Sequence, residues 1–317
     1  MLFFQQYKIQ DNVLTVQNDE SYNMQKQFYT QQFDPSEKKI FLFDSSHIYG
    51  LNPKYIDKII SNNNYQNYHV YNLGLGSDTP TNRLKTIEMA ISAKPEIVVY
   101  GIAPRDFQNP ATENNPSLNT PTKLLPSPKQ FVDDFFNIIE NSPEYNLNFL
   151  KNPQLTTLQS INRILPNSNE IHLFSPYPDT PFLRIEKENT IIHDNYELEK
   201  FQSYTAPFTE INEPEKNTEL KALKDIINKL QENHIKVIIF TTPQHKFYLE
   251  SLPNSYKESF NSILKNLSST EHLQIYSLQY KYKDLKIWND ITHVAANENS
   301  TIFSQDIAKI ILNETRP

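Results

Sequence analysis

Five short apolar runs, each followed by polar residues and separated by segments of helical periodicity, constrain this chain more than any other feature. They lie at about Lys39–Asp44, His69–Leu73, Glu96–Ile102, Ile235–Phe240 and Leu273–Ser277. A run such as Glu96–Ile102, apolar without alternation, is what a strand buried on both faces requires. Between the runs, Tyr55, Ile56, Ile59 and Ile60 follow helical spacing. Thr79–Ala93 is predicted as one helix, with Pro80 at its first position and Leu84, Ile87 and Ile91 on one face. Leu220–Leu230, Tyr256–Leu267 and Thr301–Leu312 read as further amphipathic helices. The alternation predicts a three-layer α/β/α domain around a five-stranded parallel sheet with right-handed connections. Ligands of such sheets bind at the carboxyl ends of the strands, where strand order reverses.

The alternation is interrupted once. Residues 103–214 are rich in Pro, Asn and Thr, with helical stretches at Phe131–Ile139 and Leu155–Leu165. So long a break inside a compact domain reads as an insertion between the third and fourth strands, a lid or substrate platform. Residues 1–36 read as an N-terminal extension packing on the α/β domain, which spans 37–317.

Glycine is nearly absent. A chain of 317 residues would ordinarily carry roughly 22. This one has four, Gly50, Gly74, Gly76 and Gly101, all at or just beyond the ends of the first three strands. Glycine is suited to positive φ or to a close approach of backbone, so either these turns are special or they are ordinary strand ends.

The net charge of −7, with no basic cluster, speaks against nucleic acid as a partner. The absence of cysteine removes disulfides, thiolate metal sites and cysteine nucleophiles. No apolar stretch reaches the roughly 18 residues of a membrane helix, and the N-terminus is too short and polar for a signal peptide. The chain as given is expected to be soluble. No G-x-G-x-x-G or P-loop is present, which argues against a nucleotide-binding domain.

Chemistry concentrates in Lys38–Gly50, where the run Ile40–Phe43 breaks into Asp44-Ser45-Ser46-His47. A serine at the carboxyl end of a buried strand, just before a helix, is well placed to act as a nucleophile. It needs a base within hydrogen-bond reach and a third group to orient that base. An Asp three residues before a His occurs twice, at Asp44/His47 and Asp290/His293. Asp290/His293 follows the last strand and precedes the closing helix, so a loop there can bring His293 over Ser46. The alternative is that Asp290 caps a helix and His293 is a surface residue.

Together these blocks resemble the SGNH (GDSL-like) hydrolase superfamily. The resemblance covers about 38–106 and 235–314, and it implies a flavodoxin-like sheet. It selects Ser46 over Ser45 as nucleophile, since Gly50 lies four residues on. It makes His293 the base and Asp290 its orienter. Asn72-Leu73-Gly74-Leu75-Gly76-Ser77 is similar to the second block and puts an oxyanion-hole amide at Gly76 or Ser77. Two positions depart from the pattern. Asp44 stands where a small residue is usual. Gly101-Ile102-Ala103-Pro104-Arg105-Asp106 lacks the Asn whose side chain donates to the oxyanion. Arg105 either replaces that donor or pairs with Asp106 as a loop brace. His47 either lines the pocket or caps a helix start, and His245, after the fourth strand, is a candidate to touch substrate.

The "SSH" form is similar to SGNH-like proteins of microbial surfaces tied to acylation or deacylation of polysaccharides. The expected function is therefore a serine esterase or O-acyltransferase working through acyl-Ser46 on acyl esters, acetyl foremost, of a carbohydrate or cell-surface glycan. It implies no cofactor and no metal, a link to membrane-associated glycan machinery, and an extracytoplasmic or cell-surface location. The alternative is a catalytically weak SGNH-like module that binds a glycan or protein.

Overall fold

The computed structural model describes residues 22–63, 65, 67–108, 179–182, 187–201, 208, 210–270 and 273–315. Two compact units are present, one formed by Met1–Pro110 with Tyr177–Pro317, the other by Ala111–Pro176. The second unit, with the helical stretches expected at Phe131–Ile139 and Leu155–Leu165, lies outside the described residues.

In the first unit, five parallel strands form one sheet: β1 (Lys38–Phe43), β2 (Tyr68–Asn72), β3 (Ile97–Ile102), β4 (Lys236–Thr241) and β5 (Gln274–Ser277). Their order is β2-β1-β3-β4-β5. This is the flavodoxin-like order, whose switch point falls between β1 and β3. Every residue of β3 is buried, and every residue of β1 and β4 but the first. Neither face of these strands meets water, so helices must cover both.

Those helices are a short one at residues 22–29 (α1), α2 (Pro53–Ser61), α3 (Pro80–Leu84), α4 (Ile87–Ser92), α5 (Asn195–Phe201), α6 (Thr218–Glu232), α7 (Lys246–Ser251), α8 (Asn254–Ser268) and α9 (Ile302–Thr315). Helix α2 packs with α9, and α3 with α6. Several starts are set by local chemistry. The Asn52 side chain accepts from the Tyr55 amide ahead of Pro53, and the Asn217 side chain accepts from the Leu220 amide. Helix α1 joins the core through Phe28 and Tyr29, whose rings meet Phe41 and Phe182. Among the described residues no helix is long and apolar enough to cross a membrane.

One expectation is corrected. Thr79–Ala93 is not a single helix but two, broken at Lys85-Thr86. The Thr86 hydroxyl donates toward the Arg83 carbonyl and meets Gln25 Oε1. Such local side-chain bonds compete with the helical ladder. Arg83, just before the break, is buried with its guanidinium 2.6 Å from Asp78 and donating to the carbonyls of Leu73 and Asp44. The bent segment thereby fastens the ends of β1 and β2 beside the serine turn.

Candidate active site

Strand β1 ends at Phe43, and the chain turns through Asp44-Ser45 into a 3-10 turn at Ser46–Ile48. Several bonds hold this turn. The buried Asn72 side chain donates to the carbonyls of Ile48 and Leu51 and accepts from the Gly74 amide. The Leu75 amide donates to the Asp44 carbonyl. The turns after β1 and β2 are thus stapled together, which places Ser46 and the Gly74–Ser77 loop side by side. Asn72 belongs to a block recognised in the sequence, but its stapling role depends on partners far along the chain.

From the other end of the sequence, residues 287–295 form a hairpin. Trp288 and Val294 bridge in antiparallel fashion, the Asn289 amide donates to the His293 carbonyl at 2.9 Å, and the Ala295 amide to the Ile287 carbonyl at 2.8 Å. The buried Trp288 indole donates to the Tyr282 carbonyl and anchors the hairpin. At its tip, Asp290 Oδ1 accepts from the amides of Thr292 and His293 and from the Thr292 hydroxyl. Its Oδ2 lies 2.7 Å from His293 Nδ1, and His293 Nε2 lies 2.8 Å from Ser46 Oγ. Ser46, His293 and Asp290 therefore form one hydrogen-bonded line. Burial pushes the Asp290 carboxyl up, but the hydrogen bonds from His293 and Thr292 outweigh it and hold Asp290 well below the usual carboxylate range.

Ser45 is separated from Ser46 by orientation. Its hydroxyl is buried and lies 2.9 Å from His47 Nδ1. The His47 ring stacks on His293, with centroids 5.4 Å apart and planes at 25°. Burial pushes His47 down to about 3, so it is neutral at physiological pH.

Asp44, His47 and Asp106 form a buried cluster behind the triad, with one nitrogen or oxygen from each within 4.8 Å of the others. Asp44 Oδ1 accepts from the Ser45 amide, and Asp106 Oδ2 from the Ala103 amide. Burial pushes Asp44 up to about 7, and burial together with the Asp44 charge pushes Asp106 up to about 7. Gly101 makes room for this cluster, since a β-carbon there would lie 2.6 Å from Asp44 Oδ2.

The remaining sequence candidates are placed as follows. Among the described residues, no hydrogen bond takes the amides of Ser46, Gly76 or Ser77, and Ser77 has φ of 58°. Arg105 is exposed and makes no ion pair with Asp106, whose carboxylate caps its own 3-10 turn (Pro104–Phe107). The brace between these two residues is therefore absent, although the Arg105 charge reaches Asp44, Asp106 and His47. His245 is buried, caps α7 through the Phe247 amide, and packs its ring on Trp288. Its own amide donates to the Ile291 carbonyl. His245 supports the base of the hairpin that carries His293 and is not among the residues lining the cavity at Ser46.

That cavity has a volume of about 180 Å³ and is lined by Ser46, Tyr49, Asn189, Asn289, Asp290, His293 and Val294. Tyr49, Asn289 and Val294 adjoin the two blocks recognised in the sequence, whereas Asn189 carries no recognisable sequence signal and its position follows from tertiary pairing.

No family model matches this chain, and no curated protein does. Among solved structures, it is similar to a presumed acylhydrolase from Bacteroides fragilis, at 13% identity over 93% of this chain and 95% of that one, with a TM-score of 0.42. It is also similar to a GDSL-like lipase from Bacteroides thetaiotaomicron, at 9% identity over 93% of this chain and 97% of that one, with a TM-score of 0.41.

Proposed function

We propose that the chain is an SGNH-type serine ester hydrolase or O-acyltransferase acting on acyl esters, acetyl foremost, of a carbohydrate. The observation that carries this reading is the continuous line from Asp290 through His293 to Ser46, with bonds of 2.7 and 2.8 Å. Ser46 Oγ attacks the ester carbonyl while His293 Nε2 takes its proton. Asp290 stays ionised, fixes the Nδ1–H tautomer and stabilises the imidazolium. The amides of Ser46 and of Gly76 or Ser77 receive the oxyanion. Collapse of the tetrahedral species breaks the bond to the alcohol oxygen, which takes the proton from His293 and leaves acyl-Ser46. Water or a second hydroxyl then attacks acyl-Ser46 by the same steps in reverse, giving hydrolysis or transfer. A cavity of about 180 Å³ suits a short acyl group together with the first atoms of its alcohol.

A second reading has one observation in its favour. Ala103 occupies the position of the missing side-chain donor, and one such donor contributes about 10²–10³ in rate. A catalytically weak domain that binds an acylated glycan or a protein would tolerate that loss. Intact-mass measurement after exposure to a fluorophosphonate separates the two. One adduct, absent in Ser46→Ala and His293→Ala, is expected. A folded wild type that takes no adduct would overturn the enzymatic reading in favour of the binding module.

A further inference from the structure

The Asp44–His47–Asp106 cluster behind the triad takes no part in the reaction proposed above. Asp44 follows β1, His47 lies in the serine turn, and Asp106 lies in the 3-10 turn after β3. The cluster therefore joins the two strand ends at the switch point of the sheet. One nitrogen or oxygen of each residue lies within 4.8 Å of the others. Asp44 is 2% exposed, His47 1% and Asp106 6%. Among the described residues no Lys or Arg pairs with either carboxylate, and the sole contact of that kind is His47 Nδ1 at 3.8 Å from Asp44 Oδ1. Carboxylates this buried are ordinarily paired with a cation or bound to a metal.

Each of the three groups is anchored through one polar atom. Asp44 Oδ1 accepts from the Ser45 amide at 2.5 Å, and Asp106 Oδ2 from the Ala103 amide at 2.6 Å. His47 Nδ1 lies 2.9 Å from the Ser45 hydroxyl. Asp44 Oδ2 and His47 Nε2 are buried and have no partner. Metal ligands are held in this way, with one atom fixed by an outer hydrogen bond and another left for the ion. Gly101 leaves room beside the same carboxylate, since a β-carbon there would lie 2.6 Å from Asp44 Oδ2. A bridging water would satisfy hydrogen bonds but leave the carboxylate charges uncompensated. One imidazole with two carboxylates suits zinc or manganese, whereas magnesium and calcium favour oxygen alone. We propose that Asp44, His47 and Asp106 form a structural site for one divalent transition-metal ion, zinc or manganese, which ties the ends of β1 and β3 together behind the serine turn. The site is separate from the line of Asp290, His293 and Ser46, so it does not rest on the ester-cleaving reading. Nor does the family pattern supply it, since Asp44 stands where a small residue is usual. Without the ion, protons must neutralise the two carboxylates instead.

The test uses the whole chain, stripped first with EDTA. Equilibrium dialysis against Zn²⁺ and, separately, Mn²⁺, followed by metal analysis, is expected to find one tightly held ion per chain. At a hundredfold excess over Kd, Tm should rise by about 5 °C. Asp106→Asn keeps an oxygen for the Ala103 amide but gives up the charge. Its affinity for the ion should fall by at least about tenfold, and the metal-dependent rise in Tm should shrink with it. A folded wild type that holds neither ion, or an Asp106→Asn chain that binds as tightly, would overturn the site. Should Asp106→Asn fail to fold, NMR of the wild type decides the matter. Bound Mn²⁺ is then expected to broaden the ring signals of His47 and its stacked neighbour His293 more than those of His69 and His234. Strongest broadening at His69 or His234 would place the ion elsewhere and overturn the proposal.

Discussion

Gly50 and Val294 are in backbone contact: a β-carbon on residue 50 would lie 2.5 Å from the Val294 carbonyl oxygen and 3.1 Å from the Val294 β-carbon. The helix leaving the serine turn and the hairpin carrying His293 touch through a glycine that has no side chain to hold them apart. Gly50→Ala should push the hairpin away from Ser46 and lengthen the Ser46–His293 bond. A misplacement of about 1 Å at a reacting group costs on the order of 10² in rate. The rate of fluorophosphonate labelling is expected to fall by about that factor, with a smaller change in Tm. Labelling at the wild-type rate would show that the hairpin does not depend on this contact.

Asp290→Asn tests the orienting role separately from the hairpin geometry. An Asn side chain still accepts the amides of Thr292 and His293 through its oxygen. Toward His293 Nδ1 it presents a donor, which favours the wrong tautomer. The expected loss in kcat is roughly 10³–10⁴, with KM little changed. Steady-state kinetics on an activated acetyl ester measures it, and a loss under tenfold would mean that Asp290 serves the loop and not the base.

The paired acids behind the triad predict a pH dependence with a definite sign. Asp44 is raised from 3.8 to about 7. Between those values the folded chain keeps a proton that the unfolded chain has lost, so stability falls as pH rises through this window. Asp44→Asn keeps an oxygen for the Ser45 amide and carries no charge. Its Tm relative to wild type should improve from pH 4 to pH 8. A difference that stays flat across that range would mean the carboxylate is paired by a partner of opposite charge.

His69 predicts the opposite sign. It stands between Asp57 and Asp179, at 3.0 Å from each, and ties β2 to α2 and to the chain at Asp179. The Asp57 hydrogen bond, with both carboxylate charges, outweighs partial burial and raises His69 from 6.5 to about 9. A base with a raised folded value contributes stability that is complete below about 6.5 and is lost as pH rises through about 9. The Tm advantage of wild type over His69→Gln should therefore be full at pH 6, smaller at pH 8.5 and absent near pH 10. Its persistence at pH 10 would assign the effect to packing.

Much of the sheet was legible because burial on both faces leaves a simple mark. Ile40–Phe43 and Ile97–Tyr100 are apolar without alternation, and runs this short between polar turns, rich in β-branched and aromatic residues, suit a buried strand better than a helix. The break at Lys85-Thr86 was not legible, since the Leu84, Ile87 and Ile91 spacing is helical on both sides of it. The break depends on Gln25, 61 residues away, and on the burial of Arg83. The glycines were legible as special positions, but none has a positive φ. At Gly50 and Gly101 the reason is close approach, by the Val294 carbonyl and the Asp44 carboxylate respectively. Among the described residues the left-handed ones are Ser77, Lys94 and His234, which composition does not single out.

At the candidate site the division is similar. The chain itself determined that a serine follows a buried strand and that an Asp three residues before a His follows the last one, because strand ends and short loops are local matters of hydrophobic run and spacing. Tertiary structure decided which partner each group meets. Ser45 and Ser46 are neighbours with the same hydroxyl, yet one faces His47 and the other faces His293 across 247 residues. His245 and Arg105 flank the same sheet edge, yet the first packs inward on Trp288 and the second is exposed. Asn189 lines the cavity at Ser46 although it lies about a hundred residues from the hairpin, to which its carbonyl is bonded by the Ala296 amide. Local sequence sets what a residue can do, whereas long-range packing, which no spacing encodes, sets what it does it to.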